Sequence, residues 1–266
     1  MADVYTQVTS VDSGILENLV RILELRAADP QQVAMRASYQ SEIELHPGAL
    51  VLEVGCGTGP VSRGLAYLHL DVEVRGIDPS PYFLAEARRR SEGIANLHFQ
   101  VGDACHLPFG PETVDVLVFH TTLCHVPALD EALREAHRVL RPGGQLVVFD
   151  ADYASTTVAL AVADPLQACV TATVESIVHD PHLVPKLAPS IRNAGFAIRR
   201  FRSYGYHGVL DADYLLTIVD RGAETLANTG RIGGALAVAL KDEARRRVEF
   251  GTFFGHLAYA SVIAIR

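Results

Sequence analysis

A glycine-rich turn follows a short apolar run between Val51 and Gly59, in the sequence VLEVGCGTG. A buried strand that enters such a turn brings backbone N–H groups, and the N-terminus of the next helix, against a polar or anionic ligand. The dinucleotide fingerprint needs a glycine at position 60, where this chain has Pro60, and the frame starting at Gly57 fails at Ser62. No Gly-Lys-Ser/Thr follows, which excludes a Walker loop. The turn therefore predicts a ligand-binding loop that is neither a dinucleotide-binding loop nor a Walker loop. The alternative is a tight turn that binds no ligand.

An acidic residue, Asp78, ends the next predicted strand after the glycine-rich turn. A carboxylate at this position accepts hydrogen bonds from the hydroxyls of a ribose. NAD-dependent enzymes and adenosyl-cofactor enzymes share the arrangement, so Asp78 indicates a ribose without identifying the cofactor. The alternative is an aspartate that caps the helix following Pro79.

Three histidines are candidates for removing a proton, because an imidazole titrates near neutral pH. His120 ends the fourth predicted strand, His125 follows on the carboxyl side of that strand, and His207 lies in the C-terminal half. We favour His125 over His120, since ligands of parallel sheets bind beyond the carboxyl ends of the strands. A helix-capping role for His125 is an equal alternative. His179 and His182 have no further ligands near them in the sequence, so no metal is expected.

Short apolar runs alternate with helical patterns up to residue 149. Strands are predicted at 49–54, 72–77, 97–101, 114–119 and 145–149, with an amphipathic helix at 127–140. Such alternation predicts an α/β fold, in which helices cover both faces of a parallel sheet. Helical patterns at 13–27 and 30–44 precede the sheet, the second with Asp29 as N-cap and Pro30 at its first position. The remainder is predicted to contain helices near 186–194, 211–228 and 233–248 and strands at 196–203 and 258–265.

The 266 residues carry 23 Lys+Arg against 31 Asp+Glu, a net charge of −8, and 49% of them are hydrophobic. This length predicts one large domain or two small ones. The acidic charge argues against a nucleic-acid partner, and no apolar run is long enough to span a bilayer, so no membrane insertion is expected. The N-terminus lacks a signal-peptide pattern and the four cysteines form no CxxC pair, which together predict a cytoplasmic protein.

Five features together resemble the class I S-adenosylmethionine (SAM)-dependent methyltransferases. They are Glu53, the loop Gly55-Cys-Gly-Thr-Gly59, Asp78, the segment VGDACHLPF at 101–109 and the turn LRPGG at 140–144. The chain is similar to the small-molecule branch that includes the ubiquinone/menaquinone-biosynthesis methyltransferases. The resemblance implies a Rossmann-like, seven-stranded, mostly parallel sheet with helices on both faces, an antiparallel last strand and an N-terminal helical cap. It implies a cap at 1–46 and a methyltransferase domain at 47–266, with acceptor-covering insertions at about 151–185 and 205–250.

The resemblance also implies SAM as the cofactor, S-adenosylhomocysteine (SAH) as its product, and no metal. The residues implied along the methionine part of the cofactor are Glu53, Gly55, Cys56, Gly57, Thr58 and Gly59. Those implied at the ribose and adenine are Asp78, Pro79, Gly102, Asp103 and Ala104, and those near the sulfonium are His120 and Thr121. Arg36, on the second helix, is expected to pair with the methionine carboxylate, an exposed surface arginine being the alternative.

The acceptor site is expected to be closed by Tyr206 and His207, to include Tyr153, and to be covered by the Ala-, Val- and Thr-rich segment 151–185. That composition favours a small, mainly apolar metabolite, methylated on oxygen or carbon. The alternatives are a SAM-binding enzyme that catalyses another reaction, such as a cyclisation, and a non-catalytic SAM-binding protein. An NAD(P)-dependent oxidoreductase is disfavoured by Pro60 and the segment 101–109. A homodimer is compatible with the sequence.

Overall fold

The computed structural model describes residues 12–209 and 211–266. Within them, strands of one seven-stranded sheet follow the order β3-β2-β1-β4-β5-β7-β6. Strand β7 runs antiparallel to both of its neighbours, and the other pairs are parallel. This confirms the predicted mostly parallel sheet with an antiparallel last strand. The strands are β1 (Leu50–Val54), β2 (Glu73–Asp78), β3 (Leu97–Val101), β4 (Val114–His120), β5 (Leu140–Thr157), β6 (Ala197–Gly208) and β7 (Gly255–Ile265).

Helices pack around this sheet and extend over the carboxyl ends of its parallel strands. Helices α1 and α2 come first in the chain, α3 to α5 connect the parallel strands, and α6 to α9 lie in the C-terminal half. Their bounds are α1 (Ser13–Ala28), α2 (Pro30–Gln40), α3 (Pro60–Leu68), α4 (Pro81–Arg90), α5 (Leu129–Val139), α6 (Pro165–Ile177), α7 (Leu183–Asn193), α8 (Asp213–Asn228) and α9 (Gly234–Glu249). None of the helices in the described part of the chain combines the length and the apolar character needed to cross a membrane.

The central strands are buried on both faces. Val51, Leu52 and Val54 of β1 are almost fully buried, as is the run from Val116 to Phe119 in β4. A strand covered by helices on both sides needs apolar residues at every position rather than at alternate ones. This is why the continuous apolar runs predicted these strands correctly.

Aspartate or serine followed by proline begins three of the helices. The Asp29 carboxylate accepts hydrogen bonds from the N–H groups at the start of α2, and Ser80 and Asp164 cap α4 and α6 in the same way. A proline at the first helical position loses no hydrogen bond, because that N–H has no partner inside the helix. The predicted N-terminus of α2 at Asp29 and Pro30 is confirmed.

The segment 151–185, which is expected to cover the acceptor site, is mostly regular secondary structure. Its first residues prolong β5, which runs to Thr157, and its middle forms helix α6. Pro165 begins that helix behind the Asp164 cap. The helix packs against α8, where the Thr173 hydroxyl donates to the Ile218 carbonyl at 2.6 Å. The division into a cap at 1–46 and a domain at 47–266 remains a prediction.

Candidate cofactor and acceptor site

A cavity of about 540 Å³ lies at the carboxyl edge of the parallel strands, enclosed by α1, α2, α6 and α8. The sheet order places the ends of β2 and β3 on one side of β1 and β4, and β5 on the other. The cavity wall therefore has a side formed by the loops after β2 and β3 and a side formed by β5, α6 and α8. We call these the loop side and the helical side.

The glycine loop after β1 is shaped by close backbone approach. Gly55 has φ +72°, and a Cβ there would lie 2.3 Å from Thr122 Cγ2. The Gly55 and Cys56 N–H groups donate to the Ile77 carbonyl at 2.8 and 3.0 Å, which joins the loop to β2. The Thr58 hydroxyl lines the cavity, is buried, and has no hydrogen-bond partner among the described residues. The loop is therefore rigidly held yet keeps a polar atom for a ligand.

Asp78 joins the glycine loop to the helix that follows β2. Its Oδ2 accepts from the Gly57 N–H at 2.8 Å and its Oδ1 from the Ser80 N–H at 2.9 Å. Burial raises the pKa of the Asp78 carboxyl to about 6, although these two hydrogen bonds act in the opposite direction. Each carboxylate oxygen has a second lone pair, so both can still accept from a ligand hydroxyl. Pro79 lines the cavity beside it.

Glu53 lies in the cavity wall below the loop. Its carboxylate accepts a short hydrogen bond from the Ser62 hydroxyl on α3. Burial raises the pKa of Glu53 to about 7, although the Ser62 hydrogen bond and the charge of Arg36 lower it. Arg36 reaches the cavity from α2 and donates to the Ala27 carbonyl at 3.3 Å, so the alternative of an exposed surface arginine is wrong. The two side chains bring a carboxyl group and a guanidinium cation to the wall of the same cavity.

The turn after β3 completes the loop side. Gly102, Asp103 and Ala104 line the cavity, as the sequence predicts. The Asp103 Oδ1 accepts from the Cys105 N–H at 2.7 Å, which fixes the turn. Gly59 does not itself reach the cavity: it begins α3 in the left-handed conformation, and a Cβ there would lie 2.7 Å from Phe99. The prediction that Gly59 touches the cofactor is therefore corrected to a role in shaping the loop.

His120 stands at the end of β4 within a buried aromatic cluster. Its Nδ1 is 2.9 Å from the Tyr39 hydroxyl, and its ring stacks on Phe149 with centroids 4.8 Å apart. Burial, together with the charges of Arg26 and Arg36, lowers the pKa of His120 well below its usual value. The imidazole is therefore neutral at physiological pH.

Thr121 and Arg26 meet at the cavity next to His120. Thr121 has φ +52°, and its hydroxyl accepts a hydrogen bond of 2.7 Å from the Arg26 guanidinium on α1. A left-handed threonine is strained, and such strain is found most often at functional positions. The hydrogen bond between Arg26 and Thr121 joins α1 to the residue that follows β4.

His125 lines the cavity in the 3₁₀ turn Leu123–His125. The buried carboxylate of Asp150 lies on β5 next to this turn and accepts from the Cys124 N–H at 3.2 Å. Burial raises the pKa of Asp150, and the charge of His125 is among the influences that lower it. An acid thus lies close enough to His125 to interact with its charge.

The helical side is aromatic and apolar with a few polar groups. Tyr153 from β5 lines it, as predicted, and is joined by residues that the sequence did not single out. These are Thr173 of α6 with Tyr214, Thr217 and Arg221 of α8, and Arg26 of α1 and Gln32 of α2 line the cavity beside them. The apolar face of α8 was detectable from its helical periodicity, but periodicity does not distinguish a core-facing residue from one that faces a cavity.

Tyr206 and His207 do not line the cavity, so their predicted place in the acceptor site is wrong. The Tyr206 ring is fully buried, and its hydroxyl donates to Asp29 Oδ2 at 2.8 Å. The His207 side chain is exposed, while its backbone carbonyl accepts from Gln31 Nε2 at 2.7 Å. Both residues of β6 therefore fasten α2 to the sheet instead of contacting an acceptor.

Comparison with known proteins finds a family match over the first five strands of the sheet. Residues 52–148 match the family described as methyltransferase domain. The methyltransferase GfsG of Streptomyces halstedii is 33% identical over 148 residues, which cover 54% of this chain and 53% of that protein. The 2-phytyl-1,4-naphthoquinone methyltransferase of Thermosynechococcus vestitus is 35% identical over 116 residues, covering 43% and 52%. The chain spans about half the length of the curated relatives it matches.

The sheet order is that of the class I SAM-dependent methyltransferase fold, and residues 52–148, which include the glycine loop, match the methyltransferase-domain family. Within it, the chain is similar to the small-molecule branch that includes the quinone-biosynthesis methyltransferases. Among solved structures, the [4+2]-cyclase SpnF has the same fold at 24% identity, with a TM-score of 0.57 over 88% of this chain and 81% of that one. A shared fold does not by itself fix the reaction.

Proposed function

We propose that the chain is a SAM-dependent methyltransferase that transfers a methyl group to a small, mainly apolar metabolite, on oxygen or carbon. One observation carries the proposal: the Gly57 N–H donates to Asp78 Oδ2 at 2.8 Å, which joins the glycine loop to the carboxylate expected at the ribose. Both line the same cavity as Tyr153 and Tyr214 on the helical side. A cofactor and an apolar acceptor therefore have adjoining places in one enclosure.

The residues of the loop side suit SAM. The unpartnered Thr58 hydroxyl offers a hydrogen bond to the methionine part, and Arg36 offers a cation to its carboxylate. Asp78 retains lone pairs for two ribose hydroxyls, and Asp103 offers a carboxylate to the adenine amino group. When bound, SAM would supply a methyl carbon on a positively charged sulfur, so that a new bond from the acceptor to this carbon would replace the carbon–sulfur bond and release SAH.

The protein's part in such a reaction is to align the acceptor, exclude water and accept a proton. His125 is the base we propose, because it lines the cavity beyond the carboxyl end of β4, in a turn whose Cys124 N–H donates to the buried Asp150 carboxylate. His120 is the weaker candidate. Its Nδ1 is engaged by Tyr39, and an imidazole with a lowered pKa is a poorer proton acceptor.

The lining of the helical side favours an acceptor with an apolar ring. Tyr153, Tyr214, Ile177 and Ile218 provide aromatic and aliphatic contacts there. A relative named for a naphthoquinone substrate supports the same class of acceptor. The small-molecule acceptor, the absence of a metal requirement, the cytoplasmic location and a homodimer remain predictions.

Calorimetric titration of SAH tests the cofactor half of the proposal. The Asp78→Ala variant should bind SAH at least about tenfold more weakly, because it removes hydrogen bonds to a charged group. Asp242→Ala is the control, since Asp242 is exposed on α9 and does not line the cavity. SAH affinity within twofold of wild type in Asp78→Ala would show that this carboxylate does not bind the cofactor.

Turnover tests the reaction. The protein is incubated with SAM and a panel of phenols and quinols, and SAH and methylated product are quantified by mass spectrometry. Equal amounts of both products establish methyl transfer. If SAM binds and persists while an added compound is isomerised, the chain catalyses a different reaction on the same fold.

A further inference from the structure

The hydrogen bond between Tyr39 and His120 fixes which ring nitrogen of the neutral imidazole carries the hydrogen. The Tyr39 side chain is 1% exposed, and among the described residues its hydroxyl has one hydrogen-bond partner, His120 Nδ1, at 2.9 Å. A buried hydroxyl that does not donate loses a hydrogen bond to water and gains none in return. The Tyr39 hydroxyl therefore donates to Nδ1. A neutral imidazole that accepts at Nδ1 carries its hydrogen on Nε2.

The Nε2 atom of His120 faces the cavity. His120 lines the cavity and Tyr39 does not, so the ring edge away from the Tyr39 hydroxyl is the edge that reaches it. Nε2 has no hydrogen-bond partner in the part of the chain that the structure describes, and it is not among the unpaired side-chain atoms there that are closed to solvent. The Nε2–H group is therefore an accessible donor.

The imidazole is held in place by the aromatic residues behind it. It stacks on Phe149 of β5 with ring centroids 4.8 Å apart, and Phe149 stacks in turn on Tyr259 of β7 at 5.2 Å. Because β5 lies on the opposite side of β4 from β1 and β2, the ring leans toward the helical side of the cavity. A donor fixed in this way does not have to reorient when charge develops on a ligand.

Positive charge surrounds this donor. The guanidinium groups of Arg26 and Arg36 lie near enough to His120 to help lower its pKa, and both residues line the cavity. Arg26 also bonds to Thr121, the residue that follows His120. The acid in this part of the wall is Glu53, and burial raises its pKa to about 7, so it is only partly ionised at neutral pH. A neutral donor beside two cations suits an oxygen atom that carries negative charge.

We propose that His120 donates a hydrogen bond through Nε2 to an oxygen of the acceptor, and that the acceptor is a phenol or enol that reacts as its anion. This inference rests on the proposed function, whose acceptor class it narrows. His125 takes the hydroxyl proton, and the Nε2–H group stabilises the negative charge left on the oxygen. That oxygen, or the carbon conjugated with it, forms the new bond to the methyl carbon. The carbon–sulfur bond breaks, its electron pair passes to sulfur, and SAH leaves.

Nitrogen NMR of the full chain with isotope-labelled histidine rings measures the tautomer. In wild type without ligand, His120 should carry its hydrogen on Nε2, and its signals are assigned by their loss in His120→Gln. Tyr39→Phe removes the donor to Nδ1, so signals of both tautomers should appear. Tyr204→Phe is the control, because the Tyr204 hydroxyl bonds Ser261 Oγ at 3.0 Å while its ring packs on the same Phe149. A hydrogen on Nδ1 in wild type overturns the proposal.

Binding of 4-nitrophenol tests the ligand side, because its anion absorbs at longer wavelength than its neutral form. With saturating SAH, at a pH where the free compound is mostly neutral, wild type should bind it as the anion. His120→Leu should bind it about tenfold more weakly, since a hydrogen bond to a charged group is lost, and should bind 4-nitrotoluene as well as wild type does. His120→Gln, whose amide can still donate, should retain part of the affinity. His98→Leu is the control, because His98 is exposed on β3.

The outcomes separate the inference from the function on which it rests. Absence of SAH binding by wild type overturns the proposed function. SAH binding with 4-nitrophenol bound in its neutral form, or not bound, overturns the role of His120 alone. A tenfold loss of SAH affinity in His120→Leu, with unchanged affinity for 4-nitrophenol, assigns the donor to the cofactor and also overturns the inference. If His120→Leu does not fold, the tautomer and the form of 4-nitrophenol bound by wild type decide the question.

Discussion

The hydroxyl of Tyr206 donates a hydrogen bond of 2.8 Å to Asp29 Oδ2, while the other oxygen of the same carboxylate accepts from the N–H groups of Gln31 and Gln32. A single aspartate therefore begins α2 and also fastens it to β6. Helix α2 carries Gln32 and Arg36 to the cavity. The hydrogen bond between Tyr206 and Asp29 therefore helps to position these two side chains in the cavity wall.

Replacing Tyr206 by phenylalanine should remove the hydrogen bond to Asp29 while keeping the buried ring in the core. We expect Tyr206→Phe to lower the free energy of unfolding by about 1 kcal/mol, since Asp29 is partly exposed and water replaces the lost partner in part. Hydrogen exchange of the α2 amides should accelerate. Tyr67→Phe is the control, because Tyr67 is 65% exposed on α3. Unchanged exchange in α2 would mean that other contacts hold the helix.

Glu53 should make the stability of the ligand-free protein depend on pH. Its pKa is about 7 in the folded state against a usual 4.5, so the folded protein binds an extra proton between these values. The contribution of Glu53 to the unfolding free energy should therefore be greatest below pH 4.5 and be lost as the pH rises from 4.5 through 7, by on the order of 3 kcal/mol.

Glu53→Gln separates that contribution from the other titrating groups. Glutamine cannot ionise but can still accept from the Ser62 hydroxyl. The difference in unfolding free energy between wild type and variant should shift in favour of the variant from pH 4.5 to pH 8, measured by urea denaturation. A difference that is constant across this range would show that Glu53 titrates normally.

Gly55 should not tolerate a side chain. A Cβ at this position meets Thr122 at 2.3 Å and also requires φ +72°, whereas Gly48 has φ +77° with nothing within 4 Å of a Cβ. Gly48→Ala should cost about 1 kcal/mol from the backbone conformation alone. Gly55→Ala should cost roughly 1–3 kcal/mol more through overpacking and should weaken SAH binding. Equal losses of stability in the two variants would contradict this account of the loop.

His125→Asn should slow methyl transfer while leaving cofactor binding intact. Loss of a general base lowers the rate by about 100-fold or more. The affinity for SAH should stay within twofold, and the rate is followed as SAH formation with the best acceptor from the phenol and quinol panel. His98→Asn is the control, since His98 is exposed on β3. An unchanged rate in His125→Asn would remove this histidine from the mechanism.

The residues of the loop side could be predicted because each lies at the end of a strand that is recognisable from its own short stretch of sequence. Each of Asp78, Asp103 and His120 lies at or just after the end of a parallel strand, and parallel strands bring such ends to one edge. The strands β1 and β4 could likewise be predicted from consecutive apolar residues alone. No long-range contact needs to be known to place these groups together.

The helical side could not be predicted in the same way. Tyr214 reaches the cavity but Tyr206 does not. The position of Tyr206 depends on the register in which β6 pairs with β7, where Tyr206 lies opposite Leu257. Gln32 reaches the cavity only because Asp29 fixes α2 against β6. The sequence analysis did not predict helix α6, although the rule that predicted the start of α2 from Asp29 and Pro30 also applies to Asp164 and Pro165.

The aromatic floor of the cavity also determines how the molecule absorbs and emits light. The chain contains nine tyrosines and no tryptophan. Most of these tyrosines are buried in the cavity wall or directly behind it, namely Tyr39, Tyr153, Tyr206, Tyr214 and Tyr259. Near-ultraviolet absorbance and intrinsic fluorescence therefore originate largely beside the bound ligands, so the unlabelled protein carries its own optical reporter of occupancy.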